Sequence, residues 1–296
     1  MRLAAVKPNE LAVVKDDSYV LIGEPIAAEG VLPRGATMVD LMTQFDRVQG
    51  VLSKAIARGK TVKADPKLLK APVEKPSKVW AAAGNYKRGS SDIGESRGRG
   101  AAEPVPPEHL LEAIFLKPPS SVIGPEQAII IPKNAETIFP ELELGVVIGK
   151  EVHDLPKSRA LEAVFGYTII LDVTARGYGS GQNLIGSRCV RKGFNTFCPV
   201  GPWIATKDEI PNPQSLAMRL WVNGQLRQSA RTDAMVNDVA RLVSFLSEVG
   251  TLYPGDLIST GNPDAPEFQE QLKPGDALKV EIEGIGSMSL TVESAR

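Results

Sequence analysis

The chain contains almost none of the residues that build soft metal sites or disulfide frameworks. Its 296 residues include two cysteines and two histidines. Cys189 and Cys198 form no spacing pattern for zinc or for a disulfide framework, so we expect both to be reduced thiols. A nucleophilic role for Cys198 is the less favoured interpretation, because no histidine lies near it in the sequence.

The chain also lacks an excess of charge and long apolar runs. Its net charge is −1, so the charge balance indicates neither a nucleic acid nor an anionic membrane as partner. No apolar stretch approaches the roughly 18 residues of a membrane helix, and the opening MRLAAVKPNE is too polar for a signal peptide. We therefore expect a cytoplasmic protein.

Residues 1–70 are predicted to form a small α+β domain. Two short strands with a turn at residues 15–17 precede a helix, which begins near the N-cap candidate Thr37 and ends at Gly59. The Lys- and Pro-rich stretch that follows, residues 63–78, is the predicted linker.

Residues 71–296 are predicted to form a mixed, β-rich α/β domain. Short strand-like runs alternate with Gly and Pro, and helices are predicted only around Ser158–Phe165 and Asp233–Ser247. The segment at about residues 85–107 is rich in Gly, Ser and Arg, and it is either a lid over a site or a plain surface loop.

Three carboxylates stand beside apolar runs in this domain. Glu141 and Glu143 are two positions apart in FPELELGVVIG, so in a strand they point to one face, and Asp172 ends the run GYTIILDV. Two buried carboxylates on one face must share a proton, pair with cations or hold a metal. With so few soft ligands, a hard cation such as Mg²⁺ or Mn²⁺ fits best. The alternative is a solvent-facing glutamate pair on an edge strand.

A series of short motifs in one order gives the chain a family resemblance. The landmarks are Gly84-Asn85-Tyr86, Phe115-Leu116-Lys117-Pro118, Ile123-Gly124-Pro125, Glu141-Leu142-Glu143-Leu144, Gly166-Tyr167-Thr168, Asp172-Val173-Thr174-Ala175-Arg176, Lys192-Gly193-Phe194, Gly201-Pro202-Trp203, Val222-Asn223-Gly224 and Pro254-Gly255-Asp256. The series resembles the fumarylacetoacetate hydrolase family over roughly residues 75–292. The resemblance implies a mixed β-roll fold, a homodimer and one bound Mg²⁺, Mn²⁺ or Ca²⁺ per subunit.

The resemblance also implies roles for individual residues. Glu141, Glu143 and Asp172 match the metal ligands, and Lys192 would stabilise negative charge on a substrate oxygen or bound water. The implied substrate-facing positions are Tyr86, Arg176, Asn195, Thr260 and Gly261, although Arg176 is as readily a structural arginine that braces the metal loop.

The chain departs from the family where a hydrolytic member carries its base. After Asn85-Tyr86 the usual histidine position holds Gly89, and the usual glutamate position holds Asp92. Asp92 or Glu95 could act directly as the base, or His109 could be brought in by the lid. The third explanation is a reaction that needs no activated water. The other histidine, His153, is expected at the surface.

Three functions follow from this pattern. The favoured one is a metal-dependent enzyme that acts on a small 2-oxo or 1,3-dicarbonyl acid, such as an acylpyruvate, through a metal-stabilised enolate. C–C hydrolysis and decarboxylation, a lyase reaction, stay open within it. Isomerisation or dehydration of a 2-oxo acid at the same site is the second, and a metal-binding or assembly protein without catalysis is the third. A role in the catabolism of aromatic compounds would suit such an enzyme.

Overall fold

The computed structural model describes residues 1–87, 90, 110–178, 188–263 and 271–295. Most of the predicted lid, at about residues 85–107, lies outside these ranges.

Strands dominate the described residues. They are β1 Arg2–Val6, β2 Glu10–Lys15, β3 Ser18–Leu21, β4 Lys60–Lys63, β5 Val79–Ala82, β6 Ile114–Lys117, β7 Val122–Ile123, β8 Ala128–Ile131, β9 Ala135–Phe139, β10 Leu142–Ile148, β11 Val164–Leu171, β12 Thr174–Tyr178, β13 Cys198–Thr206, β14 Ala217–Val222, β15 Gln225–Arg231, β16 Leu257–Ser259, β17 Ala277–Ile282 and β18 Gly286–Ser294.

Helices are short by comparison. The α-helices are α1 Gly23–Ala28, α2 Met38–Thr43, α3 Phe45–Arg58, α4 Leu110–Ala113, α5 Arg188–Arg191 and α6 Val239–Val249, and 3₁₀ turns span Pro66–Leu68, Pro119–Ser121, Lys157–Glu162 and Thr232–Ala234. The predicted mixed, β-rich α/β fold is therefore confirmed.

Among the described residues, the strands form one large sheet and two smaller ones. The eleven-stranded sheet has the order β4-β3-β2-β1-β13-β11-β10-β16-β5-β6, with β7 paired to β13 off this path. The five-stranded sheet has the order β15-β14-β17-β18-β8, and β12 pairs with β9. Strands β10 and β11 lie inside the large sheet, and every residue of both is buried, so both faces of these strands are covered by other parts of the chain.

The two faces of β10 meet different parts of the core. Leu142, Leu144 and Val146 belong to a cluster shared with the five-stranded sheet and α6, whereas Val147 belongs to a second cluster shared with the first 55 residues. Because side chains alternate along a strand, Glu143 points to the face opposite Leu142 and Leu144. The carboxylates therefore stand on the face that also carries Val147, at the other end of the strand.

The amino-terminal residues build part of the large sheet. Strands β1 to β4 extend it through the antiparallel pair β1–β13, with Leu3 opposite Ile204. The predicted linker packs against this unit, since the backbone N–H of Lys70 donates to the carbonyl of Ala5 at 2.9 Å. Within the residues that the structure describes, no helix is both long and apolar enough to cross a membrane.

Three local predictions were wrong in detail. The first 22 residues hold three strands rather than two, because a turn at residues 7–9 divides β1 from β2. The helix predicted from Thr37 to Gly59 is broken at Gln44 into α2 and α3. The helix predicted around Ser158–Phe165 is a 3₁₀ turn that passes into β11, since the apolar residues from Val164 onward are buried in the sheet.

Candidate metal centre

Adjacent strands bring the three predicted carboxylates together. Glu141 directly precedes β10, Glu143 lies in it, and Asp172 directly follows β11. The N–H of Asp172 donates to the carbonyl of Glu141 at 2.8 Å, which extends the pairing of Leu142 with Leu171 by one step. One oxygen from each of the three carboxylates lies within 4.8 Å of the others.

Two buried lysines pair with these carboxylates. Lys192, which follows α5, donates from Nζ to Oε2 of Glu141 at 2.6 Å and also to Oδ2 of Asp172. Lys117, the last residue of β6, donates to Oδ1 of Asp172 at 2.6 Å and to the carbonyl of Lys192 at 2.5 Å. The ammonium of Lys192 also lies 5.4 Å from the ring centroid of Phe115.

Glu143 is held from the other side by β16 and the loop after it. Its Oε2 accepts hydrogen bonds from the hydroxyl of Ser259 at 2.6 Å and from the backbone N–H of Gly261 at 2.7 Å. Gly261 has a φ of +90°, and a Cβ there would lie 2.6 Å from the carbonyl oxygen of Ala82. This close backbone approach is possible only for glycine.

The buried carboxylates have shifted acidities. Burial, together with the charge of Asp172, raises the pKa of Glu143 to about 8. Burial would also raise the pKa of Asp172, but Lys117 and Lys192 hold it below its ordinary value. Burial would lower the pKa of Lys192, but Asp172 and both glutamates raise it above its ordinary value.

The donor set fits a hard divalent cation. Three carboxylates face two ammonium groups, so the cluster carries an excess of negative charge when every group is ionised. Burial and then the charge of Asp172 raise the pKa of Glu143, and a bound cation would neutralise the excess of negative charge. Oxygen ligands of this kind suit Mg²⁺, Mn²⁺ or Ca²⁺.

Three of the other predicted site residues, Tyr86, Thr260 and Asn195, have described positions. Tyr86 is buried, and its hydroxyl donates to the sulfur of Met218 at 3.3 Å. Thr260 is buried beside Glu143 and donates to the carbonyl of Leu144 at 2.9 Å. Asn195 is exposed in the turn after Lys192. Their roles with substrate stay predictions.

The structure does not describe the candidates for a proton-transfer group. Asp92, Glu95 and His109 are outside the described residues, as is Gly89 at the position of the family histidine. The backbone of Arg176 belongs to β12, and its side chain is likewise outside the described part.

The structure also adds one residue to the site and sets two aside. Lys117 was not predicted as a site residue; the signal available was a lysine ending the otherwise apolar run Ile114–Lys117. Burial raises the pKa of the Cys198 thiol to about 12, which makes it a poor nucleophile. The side chain of His153 is 73 % exposed, as expected for a surface residue.

Known proteins resemble the chain over most or all of its length. The sequence profile of the family "Fumarylacetoacetate (FAA) hydrolase C-terminal" matches residues 78–293. A maleylpyruvate hydrolase of Aquipseudomonas alcaligenes is 33% identical, covering 99% of this chain and 100% of that protein. A mitochondrial oxaloacetate tautomerase of Bos taurus is 36% identical, covering 88% of this chain and 80% of that protein.

A solved structure shares the same fold. The maleylpyruvate hydrolase of Sphingobium sp. SYK-6, in complex with manganese(II) and pyruvate, superposes with a TM-score of 0.80 at 30% identity, and the match covers 100% of both chains. The match therefore includes the amino-terminal unit as well as the carboxylate cluster.

Proposed function

This chain belongs to the fumarylacetoacetate hydrolase family of enzymes, and we propose that it is a divalent-metal-dependent hydrolase of a small acylpyruvate-like acid. The maleylpyruvate hydrolases support this choice, because both match essentially the whole chain, including the first 77 residues. We propose Mg²⁺ or Mn²⁺ as the cofactor, with Ca²⁺ as a further possibility.

One observation carries the proposal: the cluster of Glu141, Glu143 and Asp172, whose ligand atoms lie within 4.8 Å of one another. Glu141, Glu143 and Asp172 would hold the cation, which would act there as a Lewis acid and stabilise negative charge on an oxo-acid substrate.

The surrounding side chains prepare the site for this charge. Lys117 orients Asp172 and favours its ionised form. Burial would lower the pKa of Lys192, but the neighbouring carboxylates more than offset this effect. Its ammonium therefore stays charged at neutral pH and can face an anionic substrate oxygen. Ser259 and the N–H of Gly261 fix the carboxylate of Glu143.

The proposed reaction consumes one water. Its hydroxyl adds to the acyl carbon, the C–C bond to the pyruvate unit breaks, and the electron pair left on carbon takes a proton to give the methyl group of pyruvate. We propose that the group accepting the water's proton is Asp92, Glu95 or His109.

A second candidate function is tautomerisation or decarboxylation of a 2-oxo acid such as oxaloacetate. Two observations favour it: the 36% identical relative is an oxaloacetate tautomerase, and Gly89 stands at the position of the family histidine. These reactions move protons or release CO₂ without activating water, so they have less need of that base.

The test combines metal binding with product analysis. The metal-free protein is titrated with Mn²⁺ or Mg²⁺ while its Tm is followed, and it is then incubated with an acylpyruvate or with oxaloacetate. We expect Tm to rise with either metal and EDTA to abolish turnover. Pyruvate plus a carboxylic acid would indicate hydrolysis, and pyruvate plus CO₂ would indicate decarboxylation. Faster keto–enol exchange of oxaloacetate would indicate tautomerisation.

Matched variants separate the site from the rest of the protein. Glu143→Gln should lose the metal-induced rise in Tm, whereas Glu151→Gln, at an exposed glutamate, should keep it. Alanine variants of Asp92, Glu95 and His109 should identify the base by a rate loss of about 10²–10⁴-fold. If neither metal raises Tm and EDTA leaves turnover unchanged, the metal-dependent function is wrong.

We further propose that the enzyme is a cytoplasmic homodimer. Exposed apolar side chains on adjacent elements support an interface, namely Leu116 on β6, 39 % exposed, and Val190 on α5, 65 % exposed. Light scattering of the purified protein would give the mass of a dimer, and Val190→Lys would shift it toward the monomer. A monomer mass for the unaltered protein would exclude the dimer.

A further inference from the structure

The strand that carries two of the carboxylates is incompletely paired at one edge. On one side β10 pairs with β11 along its whole length, from Leu142 to Ile148. On the other side β16 reaches only Gly145–Val147, and Thr260 extends this contact to the carbonyl of Leu144. Because backbone groups alternate between the two edges of a strand, those of Leu142 point to the same side as those of Leu144. No strand pairs with Leu142 there among the described residues.

A single side chain takes the place of the missing strand. The N–H of Leu142 donates to Oε1 of Gln228 at 3.0 Å, and Nε2 of Gln228 donates back to the carbonyl of Leu142 at 2.8 Å. A carboxamide offers one acceptor and one donor group side by side, as a backbone partner would. Gln228 therefore satisfies both polar groups of the residue between Glu141 and Glu143.

Gln228 reaches this position from the other sheet. It lies in β15, at the edge of the five-stranded sheet, where its backbone is paired with Leu220 in β14. The residue is 6 % exposed, so water cannot readily replace the hydrogen-bond partners of its carboxamide. A buried N–H or carbonyl left without a partner costs about 1–3 kcal/mol.

From this geometry we infer that Gln228 is a positioning residue for the metal-binding carboxylates. It fixes the backbone of Leu142 and thereby the directions in which Glu141 and Glu143 point. The backbone of Glu141 is held by Asp172, and the side chain of Glu143 is held by Ser259 and Gly261. Among the described residues, only Gln228 forms hydrogen bonds with Leu142, the residue between them, at its open edge. The inference rests on the proposed metal-dependent function.

If Gln228 only joined the two sheets, its replacement would lower the stability of the protein and leave metal affinity unchanged. Gln214 provides a control for such a purely structural role. Gln214 also donates to one backbone carbonyl and accepts from one backbone N–H, here of two different residues: its Nε2 donates to the carbonyl of Thr232 at 3.1 Å, and its Oε1 accepts from the N–H of Val239 at 3.0 Å. Neither contact involves a residue of the carboxylate cluster. Methionine, unbranched and of similar length, removes both hydrogen bonds at either position.

The experiment measures Mn²⁺ affinity and stability together in the full-length, metal-free protein. Isothermal titration with MnCl₂ and urea unfolding are carried out on the unaltered protein, on Gln228→Met and on Gln214→Met. We expect both variants to lose stability, but only Gln228→Met to bind Mn²⁺ more weakly, by about 10- to 100-fold. Hydrogen exchange at the amide of Leu142 should be faster in Gln228→Met alone.

Each other outcome is decisive. Equal Mn²⁺ affinity in Gln228→Met and the unaltered protein overturns the positioning role and leaves the proposed function intact. Absence of Mn²⁺ binding by the unaltered protein overturns both. If Gln228→Met does not fold, Gln228→Asn, whose carboxamide ends one methylene short, is measured instead, with the same expected loss of affinity.

Discussion

Five ionisable side chains share one small buried volume, and this arrangement is the main chemical feature at the scale of single residues. Isolated buried charges are costly, so each is compensated: Asp172 by two lysines, and Glu143 by a hydroxyl and a backbone N–H. The charges are incompletely balanced, because three carboxylates face two ammonium groups. Burial, together with the charge of Asp172, raises the pKa of Glu143 to about 8. A buried carboxylate whose pKa is strongly shifted is typical of functional sites.

The two thiols should differ sharply in reactivity. Cys189 is exposed, whereas Cys198 is buried and its pKa is raised to about 12 by burial. Because the thiolate is the reactive form, Cys198 stays protonated and shielded at about pH 8. We expect an aromatic disulfide reagent to modify one thiol per folded chain within minutes, and the second only after unfolding.

The variant Cys189→Ser identifies the reactive thiol, since it should show no rapid reaction in the folded state. Rapid modification of both thiols in the folded protein would contradict the buried position of Cys198.

At the scale of elements, the helical segment that follows Thr37 starts at a point set by local sequence and breaks at a point set by tertiary packing. Thr37 forms a capping box with Asp40, in which each side chain accepts a hydrogen bond from the other residue's backbone N–H. The break at Gln44 has no breaker residue in the sequence. It lets Phe45 pack edge-on against Phe165, with ring centroids 4.8 Å apart. The start was therefore predictable and the break was not.

Removal of the cap should destabilise the protein measurably. Thr37→Ala deletes the hydroxyl that accepts from the N–H of Asp40, at a cost of about 1 kcal/mol of unfolding free energy. Thr37→Ser keeps the hydroxyl and should stay within a few tenths of a kcal/mol of the unaltered protein. Urea unfolding measures both, and equal stability of the Ala and Ser variants would exclude a role for the cap.

At the scale of the whole molecule, the amino-terminal unit and the rest of the chain share a sheet and a core. Strand β1 pairs with β13, and one hydrophobic cluster contains Leu41 and Leu52 together with Val147 and Leu257. Gly255 contacts the same region, because a Cβ there would lie 2.7 Å from a methyl group of Val39. The predicted division into domains between residues 70 and 71 stays a prediction. The shared core predicts that the two parts unfold together.

Leu41→Ala tests this coupling. Leu41 is fully buried in α2, and its truncation should lower the unfolding free energy by about 2–5 kcal/mol. Trp203 packs against the amino-terminal unit, so the measurement is made in a Trp203→Phe background. The remaining tryptophans, Trp80 and Trp221, lie beyond that unit. If the chain unfolds as one unit, the tryptophan fluorescence midpoint in urea shifts as much as the circular dichroism midpoint.

A fluorescence midpoint that stays in place while part of the dichroism signal is lost earlier would show that the amino-terminal unit unfolds by itself. Leu226→Ala, at a partly exposed leucine of the five-stranded sheet, serves as the control and should shift both midpoints only slightly.

The sequence by itself determined what depends on short-range periodicity. Strand alternation placed Glu141 and Glu143 on one face, the end of an apolar run marked Asp172, and cap and turn residues marked Thr37 and the turn between β2 and β3.

Tertiary structure decided which distant groups meet. Lys117 reaches Asp172 across 55 positions, and Gln228 reaches Leu142 across 86. Gln228 carries no local signal, and the signal of Lys117 is only its place at the end of an apolar run. Their contacts follow from strand pairing and from the packing of two sheets. The sequence therefore specifies the carboxylates, while the lysine and the glutamine that hold them in place are evident only once distant strands are packed together.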